Sequence, residues 1–118
     1  MLAQGQHLPN LVNSDRAVLH SCCDLSEENL DFCREKFSPE KTSTDFNEVI
    51  SDADVEAICL ATTERMRFPV IRAAAEAGKP LFTEKPLAAT LDEAYRIRDI
   101  VRASKIPFCV GHNRRCSP

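Results

Sequence analysis

The chain has 118 residues, of which 43% are hydrophobic and 28% charged, and its formal net charge is −3. That length suits one modest domain with its own core, in the ordinary composition of a soluble globular protein. With this slight acidic excess nothing suggests a basic surface for nucleic acid or membrane, and no apolar run is long enough to span a bilayer.

The N-terminus lacks a basic region followed by an apolar one, so no secretory signal is indicated and a cytoplasmic location is expected. Residues 17–23, Ala-Val-Leu-His-Ser-Cys-Cys, read as a first strand ending at Asp24. Ser26 then caps a helix whose first turn carries Glu27 and Glu28, which suits the positive end of the helix dipole. Leu30, Cys33 and Phe37 give that helix an apolar stripe. A short strand over 41–43 and a short helix over 46–50 follow. Residues 55–61, Val-Glu-Ala-Ile-Cys-Leu-Ala, are nearly continuously apolar, as in a parallel strand covered on both faces.

The next helix is expected over about 65–77, with Phe68, Ile71, Ala74 and Ala75 on one side and Gly78 as its stop. Residues 80–83 form a strand. Thr90 and Glu93 make a T-x-x-E capping box for a helix reaching about Ser104. Residues 107–110 form a last strand, opening into Gly111-His112-Asn113-Arg114-Arg115. Strands alternate with helices throughout. The expected fold is α/β with a doubly wound, mostly parallel sheet, in one domain over 1–118 without repeats or linkers.

Six cysteines raise the question of disulfides or metal. Cys22 and Cys23 are adjacent, no C-x-x-C pair occurs, and His7, His20 and His112 are scattered. Structural zinc needs clustered thiolates or imidazoles, so no metal is expected. Reduced cysteines packed as small apolar residues are the expected state.

The most specific feature is Glu84-Lys85-Pro86 at the end of a strand. Charge at the end of a buried strand is costly unless it is paired or used. Proline biases the preceding lysine to an extended conformation, just past a strand's carboxyl end, where ligands bind in open α/β sheets. A solvated lysine paired with Glu84 is the plainer alternative. Asp24 has two readings: a ribose-binding acid of a dinucleotide fold, or a turn-forming residue before a helix. Ala61 and Thr62 could let backbone approach a cofactor or simply form a turn. The glycines at 5, 78 and 111 make no G-x-G phosphate loop.

In this order the pieces resemble the N-terminal domain of the glucose-fructose oxidoreductase / inositol dehydrogenase / MocA-like (Gfo/Idh/MocA) family. The resemblance rests on residues 5–11, on Cys23-Asp24, on 52–58 and on Ala61-Thr62. It continues through Ala73–Pro80, Glu84–Ala88 and Val110–Arg115, and so covers the whole chain. It implies a Rossmann-like domain binding NAD, with NADP as the alternative, in a dehydrogenase of sugars, polyols or related compounds. Lys85 matches the catalytic lysine beside nicotinamide and substrate. Asp24 matches the ribose-binding acid, and the lack of an adjacent arginine favours NAD. Ala3, Ala61, Thr62, Glu84 and Asn113 match cofactor-lining positions. The resemblance also implies a homo-oligomer assembled through a C-terminal substrate domain.

Thr63 stands where the family usually has proline, Arg67 where it has histidine, and Cys116 where phenylalanine is typical. The first strand, the first two glycines of the phosphate loop and the histidine acid/base are not found between Met1 and Pro118. Strand 1 is central in the order 3-2-1-4-5-6, so the Asp24 and Ala61 strands are expected to lack a shared neighbour, and helix 3–12 the strand it packs on. A partial dinucleotide-binding domain that is marginally stable and inactive by itself is the expectation. A non-catalytic dinucleotide-binding regulator and an inactive truncated fragment are the alternatives.

Overall fold

A computed structural model gives the fold of residues 3–112, the residues described below. The chain forms two compact units, Met1–Val55 and Glu56–Pro118.

In the first unit a π-helical turn, Ala3–His7, runs into helix α1, Leu8–Val12. Pro9 lies in the first turn of α1. Strands β1, Ser21–Cys23, and β2, Lys41–Ser43, pair in parallel, with Cys22 opposite Thr42. Helix α2, Glu27–Phe37, connects them. The Ser26 hydroxyl accepts the Asn29 N–H at 3.4 Å, so the expected cap forms. Leu30 and Cys33 are buried with Leu8 and Cys22, while Leu19 and Phe37 pack against them. Helix α3, Phe46–Ser51, is capped by Asp45, whose carboxylate accepts the Asn47 N–H at 2.8 Å.

The strand expected over 17–23 is only three residues long. A strand is as long as the partner that pairs with it. The rungs begin where the Lys41 N–H donates to the His20 carbonyl at 2.9 Å, and Val18 is 77% exposed.

In the second unit β3, Ile58–Leu60, β4, Leu81–Glu84, and β5, Phe108–Gly111, form a parallel sheet in that order. The register sets Leu60 opposite Thr83 and Glu84 opposite Gly111. β3 is also shorter than the apolar run over 55–61. The Ile58 N–H donates to the Pro80 carbonyl at 2.8 Å, and the next rung toward Val55 would need the N–H that proline lacks.

Helix α4, Glu64–Glu76, buries Arg67, Val70, Ile71, Ala74 and Ala75. Phe68, expected on the buried side, is only half-buried, with the Arg96 guanidinium 4.2 Å above its ring. Gly78 ends α4 as expected, with φ +70°. Its N–H donates to Ala75 at 3.1 Å and the Lys79 N–H to Ala74 at 2.9 Å, the paired bonds of a Schellman motif. Helix α5, Leu91–Ser104, starts at Thr90, whose hydroxyl accepts the Glu93 N–H at 3.2 Å. The Glu93 carboxylate reaches back one residue further than in a standard capping box, to the Ala89 N–H at 3.2 Å.

The two faces of this sheet differ. Leu81 and Thr83 point to a covered face, whereas Cys59 and Cys109, aligned on either side of Phe82, are exposed. This corrects the expectation of a β3 covered on both faces and of thiols packed at these positions. An apolar strand sequence does not by itself supply the layer that covers its second face.

All pairings are parallel and helices alternate with strands, so the fold is the expected Rossmann-like α/β type. Among the described residues β1 pairs only with β2, and β3 only with β4. No described helix is long and apolar enough to cross a membrane.

Candidate functional site

Four of the expected site residues gather in the second unit, at the carboxyl ends of two neighbouring strands. Ala61 and Thr62 follow β3, while Glu84 ends β4 and Lys85 follows it. Because Leu60 and Thr83 are in register, the two chain segments leave the sheet side by side. The Lys85–Pro86 peptide is cis. Lys85 is exposed and forms no ion pair with a described residue, so the plainer reading of a Lys85–Glu84 pair is not what is observed.

Glu84 is half-buried, and β5 passes very close to it. A Cβ added to Gly111 would stand 2.7 Å from the Phe82 ring and 3.2 Å from a Glu84 carboxylate oxygen. Glycine at this position therefore lets β5 approach the acid that precedes the lysine.

Sequence reasoning noted Arg67 only as a departure from the family pattern and missed its place in the structure. Its side chain is 4% exposed, on the apolar stripe of α4. Nη2 donates to the Thr62 carbonyl at 2.9 Å and, over a longer 3.5 Å, to the Lys85 carbonyl. Nε and Nη1 are buried without a hydrogen-bond partner among the described residues. Burial lowers the pKa of the guanidinium, and the charges of Glu64 and Glu84 oppose that shift. The available signal was spacing: Arg67, Val70, Ile71 and Ala74 share a helical face.

Asp24 lies in the first unit, just after β1. Its Oδ1 accepts the Ser26 N–H at 2.9 Å, and its own N–H donates to Ser43 at 3.3 Å. The turn-forming reading thus describes one carboxylate oxygen, and Oδ2 has no hydrogen-bond partner among the described residues. Ala3 opens the π-helical turn of the same unit. Asn113 lies outside the described residues.

A separate polar cluster ties the first unit together. His20 contacts Glu40 through Nδ1 at 2.9 Å and Asp52 through Nε2 at 3.1 Å, while Lys41 Nζ lies 2.7 Å from the same Asp52 oxygen. His20, Asp52 and Asp54 bring potential ligand atoms within 4.8 Å of one another. Lys41 already holds the shared Asp52 oxygen, so the cluster is an ionic tie. The five cysteines in the described residues are free. Cys22 has its pKa pushed up to about 12 by burial, as suits an unreactive core thiol.

The donor set suits part of a nicotinamide dinucleotide. In the first unit Asp24 has a carboxylate oxygen with no hydrogen-bond partner among the described residues, and in the second Lys85 has an ammonium with no ion pair among them. The described residues contain no glycine loop for the pyrophosphate.

A family model described as an oxidoreductase family with an NAD-binding Rossmann fold matches residues 2–112. The chain is 31% identical over 109 residues to the myo-inositol 2-dehydrogenase of Thermotoga maritima, covering 92% of this chain and 33% of that protein. It is 36% identical over 97 residues to the inositol 2-dehydrogenase of Paracoccus denitrificans, covering 80% of this chain and 29% of that protein. The crystal structure of Lactobacillus casei scyllo-inositol dehydrogenase with bound NAD(H) and scyllo-inositol has the same fold, with a TM-score of 0.88 and 22% identity over 94% of this chain and 33% of that one. The chain thus spans about a third of the length of these relatives. Matched over nearly all its length, it belongs to the oxidoreductase family with the NAD-binding Rossmann fold.

Proposed function

We propose that residues 1–118 are part of the dinucleotide-binding domain of an NAD-dependent dehydrogenase acting on a sugar, a polyol or a related hydroxyl or carbonyl compound. The observation that carries this reading is the constellation at the ends of β3 and β4: Ala61, Thr62 and Glu84 flank an exposed Lys85 whose ammonium forms no ion pair with a described residue. Its support is the family membership and the inositol dehydrogenases among the relatives.

NAD, when bound, supplies the hydride-transfer chemistry. Lys85 donates a hydrogen bond from its ammonium to the substrate oxygen and steadies charge there. Ala61 and Thr62 line the cofactor side, with Glu84 beside them. The spare Asp24 oxygen accepts from the ribose hydroxyls. The same carboxylate repels a 2′-phosphate, which favours NAD over NADP. By the family resemblance, Ala3 and Asn113 are further candidates for binding the cofactor.

Ligand-observed NMR titration of the chain with NAD and NADP tests this reading. NAD is expected to bind more tightly, and Asp24→Ala to weaken it by about ten-fold, the worth of a charge-assisted hydrogen bond. Tighter NADP binding would overturn the NAD assignment, and absence of binding by either would overturn the dinucleotide assignment for this chain. For activity, the chain can replace the matching third of the Thermotoga maritima relative. Lys85→Met is then expected to lower polyol oxidation by about 100-fold, the low end for a group assisting proton movement.

A further inference from the structure

We propose that Arg67 is a positioning residue: its guanidinium ties the turn after β3 to the turn after β4 and so sets where Lys85 stands. The inference rests on the role given above to Lys85, but the clasp itself is a property of the ligand-free chain.

Geometry and an energetic mismatch support it. Nη2 carries two hydrogens and faces two backbone acceptors, the Thr62 carbonyl at 2.9 Å and the Lys85 carbonyl at 3.5 Å. These two residues are 23 positions apart in the chain, yet one nitrogen reaches both. Neither acceptor lies within a strand, so no sheet hydrogen bond holds these turns in place of the arginine. Glu84, between Thr83 and Lys85, adds an electrostatic pull on the same guanidinium.

The mismatch is that Arg67 is a poor choice for stability alone. It is 4% exposed, and two of its nitrogens find no partner among the described residues. A buried guanidinium with unmet donors is commonly replaced by an apolar side chain without loss of stability, and often with a gain. A residue that only filled the α4 stripe would do better as methionine. The arginine makes sense where a polar tie between two turns matters more than packing.

The test separates order at Lys85 from stability of the unit. In labelled chain, the Thr62 and Lys85 carbonyl carbon shifts and the Lys85 side-chain signals are recorded without ligand, beside a thermal melt. With Arg67→Met, both carbonyl shifts are expected to move and the Lys85 signals to broaden or split, while the melting temperature holds or rises. With Arg67→Lys, which keeps the charge but not the planar fork, one of the two carbonyl shifts is expected to recover. Unchanged Thr62 and Lys85 signals in Arg67→Met would overturn the proposal. So would a lowered melting temperature with shifts spread through β3, β4 and β5, the mark of a packing role.

Titration with NAD comes second. Arg67→Met is expected to reduce the Lys85 response by about ten-fold in apparent affinity, as for a modest misplacement of a binding group. If the wild-type chain shows no response to NAD, the dinucleotide reading fails, and the ligand-free spectra still decide the role of Arg67.

Discussion

The two units solve the same problem by different means. The first has a small apolar cluster, Leu8, Cys22, Leu30 and Cys33, and adds an ionic tie of Lys41 and His20 on Asp52. The second has a three-stranded sheet and buries Leu60, Val70, Ile71, Leu81 and Ile97, with two well-terminated helices. Order in the first therefore leans on charge, and order in the second on packing and helix ends. The lysine that we assign to chemistry stands on the second unit.

That contrast can be broken at its strongest point first. Ile71 is 0% exposed, so Ile71→Ala leaves a cavity and is expected to cost about 3 kcal/mol in urea unfolding. Amide exchange should rise across β3, β4 and β5 and leave α2 unchanged. An equal rise in both units would mean that they unfold together and that the contrast is empty.

Gly111→Ala comes next. Its Cβ would lie 2.7 Å from the Phe82 ring, so overpacking should cost about 2 kcal/mol and displace the Glu84 side chain. A crystal structure or the Glu84 shifts would show the displacement. Thr90→Ala is smaller: loss of the cap on α5 is expected to cost about 1 kcal/mol, read as faster exchange at Glu93.

The pH response should be the smallest effect and should appear in the first unit alone. Asp52 has its pKa held well below the usual carboxylate range by Lys41, by the Asp54 backbone N–H and by His20. Its stabilising contribution is present above the ordinary carboxylate pKa of 3.8 and is lost as pH falls through the lower folded value. His20 has its pKa raised, chiefly by Asp52 and also by Glu40, against some desolvation. Its contribution is present below 6.5 and is lost as pH rises through the higher folded value. Amide protection in the first unit should thus be greatest between those two ranges and decline on both sides. His20→Ala should remove the alkaline decline and spare the second unit.

What could be read in the sequence followed how local its cause was. Ser26, Gly78 and the Thr90–Glu93 pair act within a few residues, and each forms the helix end its spacing implied. The alternation of strands and helices likewise showed the parallel α/β fold. Strand lengths were misread because they belong to pairs: β1 is limited by β2, and β3 by the proline before β4. Phe68 is only half-buried while Arg67, whose burial the sequence reading did not address, is covered, since only the neighbours decide which side chain at a helix edge is covered. Lys85 was found through its unusual context, but nothing in the sequence placed the Arg67 guanidinium against the turn that carries it.

The thiols also offer a built-in reporter for both units. Cys59 and Cys109 flank Phe82 on the exposed face of the second sheet, whereas Cys22 and Cys33 sit in the closed cluster of the first. Alkylation followed by mass spectrometry should modify the first pair promptly and the second only as rapidly as the first unit opens. A single time course would then measure, without a label or a mutation, how often one unit breathes and whether anything comes to rest on the face of the other.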